Sequence, residues 1–253
     1  MHGKNKIICI AGKNKCAIDA LSYLKKRFKK LKILALPNKN DSGVDSWQKS
    51  FKKFARDKKI PITSLKKLYK IENLYFFSLE YDDILDIRKF KSKKLYNIHF
   101  SLLPKFRGCH TNYYQIVKGE KKSGVTLHEI DKGIDTGNII DSISFKISIN
   151  STAFDNYNNL LKKSVLIFKR NFLKIFENRY SSKKQKIDKG SYFSRKSVNY
   201  SKLINFKMIK NNISTHNKIR ALIFEPFQLP IYNGKKIKKS ILKNKKIKLE
   251  YLK

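Results

Sequence analysis

Long apolar runs, paired cysteines and arginine clusters are all missing from this chain of 253 residues. No stretch approaches the ~20 apolar residues that a membrane span needs, so no membrane association is expected. The first apolar run, Ile7–Ala11, is broken by glycine and lysine and is too short for the core of a secretory signal. Cys9, Cys16 and Cys109 form no Cys-x-x-Cys pair and cannot all pair within the chain. Reduced thiols of a cytoplasmic protein are expected, with no bound metal. Wholesale disorder is excluded too, because hydrophobic residues make up 41% and aromatics 12%, spread along the whole sequence. No internal repeat is visible.

Basic charge is abundant instead. The formal net charge is +39, which ordinarily points to nucleic acid or an anionic surface. Yet only Arg27, Arg56, Arg88, Arg107, Arg170, Arg179, Arg195 and Arg220 are arginine, and the remaining basic residues are scattered lysines. Proteins that read phosphate geometry favour the planar, bidentate guanidinium. The excess of lysine, asparagine and isoleucine reads mainly as the composition of an AT-rich genome, with a selected polyanion-binding surface as the alternative.

Periodicity gives an α/β protein. Lys6–Ala11 is a continuous apolar run suited to a buried parallel strand. Ala17, Ala20, Leu21, Leu24 and Phe28 follow at helical spacing, then a strand over 32–36 closed by Pro37. Trp47, Phe51, Phe54 and Ala55 predict a helix over 46–58, Ile60–Ile62 a short extended piece, and 73–78 another buried strand. Strand and helix alternating every 25 to 35 residues is the rhythm of an open α/β sheet. Further on, 124–128 and 139–149 read as strands, and Phe154 to Phe172 as a long amphipathic helix. A polar stretch over 179–190 is the candidate boundary between residues 1–180 and a small 190–253 extension. That extension holds a short helix (213–222) and a lysine-rich hairpin (231–252).

One segment is dense in chemical groups: Asn97-Ile-His-Phe-Ser-Leu-Leu-Pro-Lys-Phe-Arg-Gly108. On an extended segment Asn97 and His99 project to the same side. A second cluster, 124–137, ends in a loop carrying Asp131, Gly133, Asp135 and Gly137. An amide, an imidazole and a carboxylate are what acyl transfer to an amine requires. The first two can stabilise an oxyanion, and the third can orient the histidine or relay the amine proton. His2, His110 and His216 read as ordinary satisfied polar residues.

Asn97–Gly108, followed by Gly124-Val-Thr-Leu-His-Glu-Ile-Asp-Lys-Gly-Ile-Asp-Thr-Gly137, resembles the folate-dependent formyltransferases. The family's Asn-x-His and Asp fall on Asn97, His99 and Asp135, its Ser-Leu-Leu-Pro hallmark on 101–104, and the His-to-Asp gap of 36 residues fits. The resemblance implies a Rossmann-like formyltransferase domain with a mainly parallel sheet and N10-formyltetrahydrofolate as formyl donor. It implies donor-binding positions at Tyr81, Asp82, Ile84, Leu85, Asp131 and Gly133.

The acceptor is read from the remainder. Ser191-Tyr-Phe-Ser-Arg195 and 218–230 resemble segments of small bacterial sugar-nucleotide N-formyltransferases, as do Asp45–Gln48 and Ser78–Asp82. A nucleotide diphosphosugar needs an aromatic face and cationic donors. Tyr192, Arg195, Arg220 and Phe227, with Lys13 and Asn14, are the expected substrate-binding residues. The resemblance implies a dTDP-linked amino-dideoxyhexose as substrate, of the 4-amino-4,6-dideoxyglucose type, for O-antigen lipopolysaccharide, and a homodimer. A compact methionyl-tRNA formyltransferase, with tRNA as partner, is the alternative favoured by the charge.

Overall fold

The computed structural model describes residues 6–252; His2 lies outside them. The first apolar run forms β1 (Ile7–Gly12), paired in parallel with β2 (Lys32–Pro37) on one side and β3 (Leu74–Leu79) on the other. Ile8 and Ile10 face one layer and Cys9 and Ala11 the other, all fully buried. A strand covered on both faces has no polar side to show, so it reads as unbroken apolar sequence rather than alternation. β4 (Leu95–His99) adds in parallel beside β3. After a two-residue strand β5 (Arg107–Gly108), the antiparallel β6 (Lys122–Glu129) and β7 (Ile139–Lys146) complete the sheet, in the order β2-β1-β3-β4-β6-β7.

On one face α1 (Asn14–Arg27) and the long α5 (Ala153–Phe176) bury Leu21, Leu24, Leu160, Phe168 and Phe172 against Tyr75, Phe77 and Tyr96. Thr152 and Asp155 close a reciprocal capping box at the start of α5, which satisfies two of the free N–H groups there. The helix expected over 46–58 is shorter, α2 (Phe51–Asp57). Ser50 accepts from Lys53 N at 2.9 Å, while Asp45 and Asp41 accept from the N–H groups of Ser50 and Lys52. With the chain capped at Ser50, Trp47 falls in the loop before the helix. The short α3 (Leu65–Leu68) packs on the opposite face, and α4 (Thr111–Val117) follows β5.

Beyond α5, the two-residue β8 (Tyr192–Phe193) pairs with β5. Then come α6 (Tyr200–Leu203), β9 (Asn205–Phe206), α7 (Ile213–Leu222), β10 (Ile231–Tyr232), β11 (Lys235–Lys243) and β12 (Lys246–Tyr251). These last strands form a separate sheet, β12-β11-β10-β9, under which Ile219, Ile223 and Ile237 make a small core. Its lysines are exposed on a hairpin whose register shifts between Ile237 and Lys239. Among the described residues no helix is long and apolar enough to cross a membrane.

Candidate active site

The sheet order reverses at β1, with β2 on one side and β3 on the other, so a crevice opens at the carboxyl ends of the parallel strands. His99 ends β4 at that edge. Asn97 pairs with His128 of β6, and His99 with Thr126, so all four side chains share one face. The loop after β6 then returns Asp135 over that face.

The resulting cluster is compact. Asp135 Oδ2 lies 3.4 Å from His99 Nδ1, and Asp135 Oδ1 lies 3.5 Å from His128 Nε2. Asn97 Nδ2 donates to Asp135 Oδ1 at 3.2 Å and stands 3.1 Å from His128 Nε2. The Gly108 N–H donates to Asp135 Oδ2 at 2.8 Å. Gly108 sits at φ +88, and a Cβ there would stand 2.2 Å from the Phe193 carbonyl, so the close approach of β5 and β8 requires glycine. His99 Nε2 is 2.7 Å from the Phe106 carbonyl. A carbonyl only accepts, so Nε2 carries a proton and Nδ1 faces the carboxylate. By the same logic His128 Nδ1 donates to the Glu129 carbonyl at 2.7 Å, and Nε2 faces Asp135 and Asn97.

Burial alone would raise the Asp135 carboxyl. The charge of His99, then the bond to and charge of His128, and the Gly108 N–H together outweigh it and hold the group well below the usual carboxylate range. The ionised form of Asp135 is therefore favoured, which makes it an electrostatic partner for a positive charge.

A cleft of about 690 Å3 opens past the ends of β1 and β3, with walls that include Lys13, Asn14, Trp47, Tyr157, Phe224 and Phe227; Asn97, His99, His128 and Asp135 do not line it. Trp47 is 38% and Phe227 65% exposed, and their rings meet edge to face at 4.9 Å. Large aromatics left open to solvent beside a cleft present a surface for a flat ligand. At its floor Glu80 Oε2 accepts from Asn14 Nδ2 (3.2 Å) and the Tyr157 hydroxyl (3.0 Å). Burial raises the Glu80 carboxyl, against the opposing pull of Lys13 and of these donors.

The expected residues divide. Asn97, His99 and Asp135 converge. Lys13, Asp82 and Arg195 are also brought together: Lys13 Nζ is 3.2 Å from Asp82 Oδ1, and Arg195 donates to the Asp82 carbonyl at 3.3 Å. Tyr81 and Leu85 pack, with Ile130, against one apolar cluster, so the loop after β3 adjoins the Asp135 loop. Ile84 is 81% exposed. Asp131 turns inward and accepts from Gly133 N and Thr136 Oγ1, shaping that loop. Tyr192 is exposed beside Gly108.

Arg220 does not reach the cleft, contrary to expectation. It is 2% exposed, and its guanidinium donates to Asn217 Oδ1 and to the Ser148 and Ser151 carbonyls. With Nε and Nη1 spent on protein acceptors in the interior, the guanidinium does not present its fork to a diphosphate. Sequence reasoning missed Trp47 as a cleft residue and His128 as a partner of Asp135; the position of His128 opposite Asn97 follows only from strand register. His110 and His216 have both ring nitrogens occupied, by Tyr200 and Arg195 and by Ser240 and Ile149, as ordinary satisfied histidines do. Among the described residues no group of three His, Cys, Asp or Glu is placed to hold a metal ion.

Comparison with known proteins returns one family, Formyl transferase, matching residues 86–171. A solved structure of WlaRD, a sugar 3N-formyl transferase in the presence of dTDP and 5-N-formyl-THF, is 51% identical over 96% of this chain and 88% of that one, with TM-score 0.89. An N-formyltransferase from Helicobacter canadensis, in complex with folinic acid and dTDP-3-aminofucose, is 48% identical over 94% and 88%, with TM-score 0.88. A methionyl-tRNA formyltransferase of Malacoplasma penetrans is 32% identical over 93% of this chain and 76% of its own length. The chain spans 22% and 48% of two further curated relatives.

Proposed function

We propose a function from one premise: the chain belongs to the formyltransferase family. The reading is transfer of a formyl group from N10-formyltetrahydrofolate to the amino group of a dTDP-linked amino-dideoxyhexose. The observation that carries it is likeness at about half identity over nearly the whole chain to two sugar N-formyltransferases, solved with dTDP or a dTDP-amino sugar and a formylated folate. The methionyl-tRNA formyltransferase match is weaker, at 32% identity.

The geometry suits the chemistry. The neutral sugar amine attacks the formyl carbon, a C–N bond forms, and the carbonyl oxygen becomes an oxyanion. His99, through an Nδ1–H shared with Asp135, and an Asn97 N–H turned from Asp135 or His128 stabilise that oxyanion. The amine nitrogen becomes positive as it bonds, and the ionised Asp135 offsets that charge. The amine proton passes by way of the His99 and Asp135 pair to N10 of the departing folate as the C–N10 bond breaks. Formamide and tetrahydrofolate result, with atoms balanced.

Trp47 and Phe227 supply an aromatic surface for the nucleobase, with Tyr192 as a further candidate. Lys13 and Arg195 supply cations for the diphosphate, and Asn14 lies on the sugar side. Tyr81, Asp82, Ile84, Leu85, Asp131 and Gly133 stay proposed for the folate, through the backbone of their two adjoining loops. Residues 190–253 complete the nucleotide cleft and carry a homodimer contact in this reading. It is a cytoplasmic enzyme serving surface-polysaccharide synthesis.

The relatives at half identity favour a 3-amino sugar over the 4-amino-4,6-dideoxyglucose substrate suggested by the sequence. The test is a formyl-transfer assay with dTDP-3-amino-3,6-dideoxygalactose, dTDP-4-amino-4,6-dideoxyglucose and methionyl-tRNA in parallel, alongside His99→Asn. Turnover of a sugar, lost in the variant, is expected. Turnover of the tRNA alone would overturn the reading.

A further inference from the structure

The polar stretch between the two parts of the chain looks like a spacer in sequence, yet it is stitched into the reaction centre at both ends. At one end the Tyr180 and Ser182 hydroxyls donate to Glu129, at 3.1 and 3.2 Å. Lys183 then exchanges a pair of 2.8 Å backbone bonds with Ile139. Gln185, 6% exposed, donates through Nε2 to the Asp135 carbonyl at 3.0 Å and the Gly137 carbonyl at 2.6 Å. Both partners are carbonyls, which fixes the amide orientation. Oε1 is left buried with no partner. A buried acceptor without a donor costs stability, so this side chain is a poor choice for packing alone. What it does hold is the backbone of Asp135 itself and of Gly137 two residues on, and Asp135 has φ +54. A non-glycine residue in that region persists only where its surroundings enforce it.

At the other end Ser191 Oγ accepts from Phe106 N at 2.8 Å, and the Ser191 carbonyl accepts from Arg107 N at 2.8 Å. Phe106 is also at positive φ, +58, and its carbonyl is the one His99 Nε2 bonds. One stretch of chain therefore fixes the loop of the carboxylate and the carbonyl that sets the histidine ring, the two groups that meet at 3.4 Å.

We propose that residues 180–191 are a positioning strap for the reaction centre, in which Gln185 sets Asp135 and Ser191 sets the Phe106 carbonyl that orients His99. This rests on the reading that Asn97, His99 and Asp135 carry out formyl transfer. Neither strap residue touches substrate; each acts through a backbone group.

The experiment uses the full chain with Gln185→Met, Gln185→Glu, Ser191→Ala and the Gln185→Met/Ser191→Ala double variant. A control, Ile237→Val in the core under the C-terminal sheet, lowers stability without touching the site. Misplacing a reacting group by ~1 Å costs on the order of 100-fold. Gln185→Met and Ser191→Ala should therefore lower kcat about 10- to 100-fold, with KM for donor and acceptor within threefold. Gln185→Glu, which turns a carboxylate toward two carbonyls, should lower it further. The acid limb of kcat should move to higher pH in the Gln185 variants, because Asp135 leaves the groups that hold it low. Ring 15N signals of His99 and His128, read in the free protein, should shift in the Gln185 variants and stay fixed in the control. Those signals need no substrate: if they shift while wild type transfers no formyl group to any acceptor, the strap stands and the functional reading falls. Lowered melting temperature with kcat, its pH profile and the ring signals all unchanged would overturn the strap.

Discussion

Arg220 supplies the sharpest test of how this chain is built. The side chain is charged and buried, and among the described residues no carboxylate neutralises it; Asn217 Oδ1 at 2.9 Å and the Ser151 carbonyl at 2.6 Å do so instead, with the Ser148 carbonyl at 3.4 Å. Burial pulls the guanidinium down to about 10, so it stays protonated at neutral pH. Arg220→Met keeps the volume and removes every donor. It orphans three acceptors, the buried Asn217 Oδ1 at roughly 1–3 kcal/mol and the part-buried Ser148 and Ser151 carbonyls at less, while relieving the desolvation of the cation, for a net loss of about 3 kcal/mol. For a chain of this length that lowers Tm by roughly 6–12 °C. Arg220→Lys should recover less than half of the loss, since one ammonium cannot span acceptors arranged for a planar fork. Thermal melts give the stability, and steady-state assays give KM for the nucleotide sugar, expected within threefold of wild type. A Tm within 2 °C of wild type, together with a KM raised tenfold or more, would refute this reasoning and return Arg220 to the substrate.

Two further outcomes are expected. His128→Gln removes two contributions that lower the Asp135 carboxyl, so that group rises toward the ordinary range of ~4. A depressed carboxylate stabilises fully above its unfolded value and loses that contribution as pH falls through its folded value. The acid limbs of activity and stability should therefore both move upward in the variant, and coincident wild-type and variant pH profiles would contradict the pairing. Trp47→Ala removes one ring of the aromatic surface proposed for the nucleobase. With base stacking worth about 1–3 kcal/mol, KM for the nucleotide sugar should rise on the order of tenfold with donor KM unchanged, as steady-state kinetics with each substrate varied will show.

Much of this molecule was legible in its residues. The apolar run of β1, the spacing in α1 and the stripe along α5 each report a local preference that tertiary packing then used unchanged. Asn97, His99 and Asp135 were legible as a set because their residue types and spacing match a family pattern. The helix before Phe51 was misjudged, since side-chain caps at Ser50, Asp45 and Asp41 outweigh an apolar spacing that also fits a loop.

Local sequence thus determined most of the strands and helices, and which short motifs match the formyltransferase family. Only the tertiary structure decided which polar side chains meet. Strand register set His128 opposite Asn97, the fold of the extension turned Arg220 inward and left Phe227 outward, and the strap carried Gln185 to Asp135. Periodicity records how much of a residue's surroundings is apolar, an average over neighbours along the chain. The partner of a hydrogen bond lies across the fold, up to 50 residues away for Gln185 and Asp135 and 72 for Arg220 and Ser148, where no local average can see it.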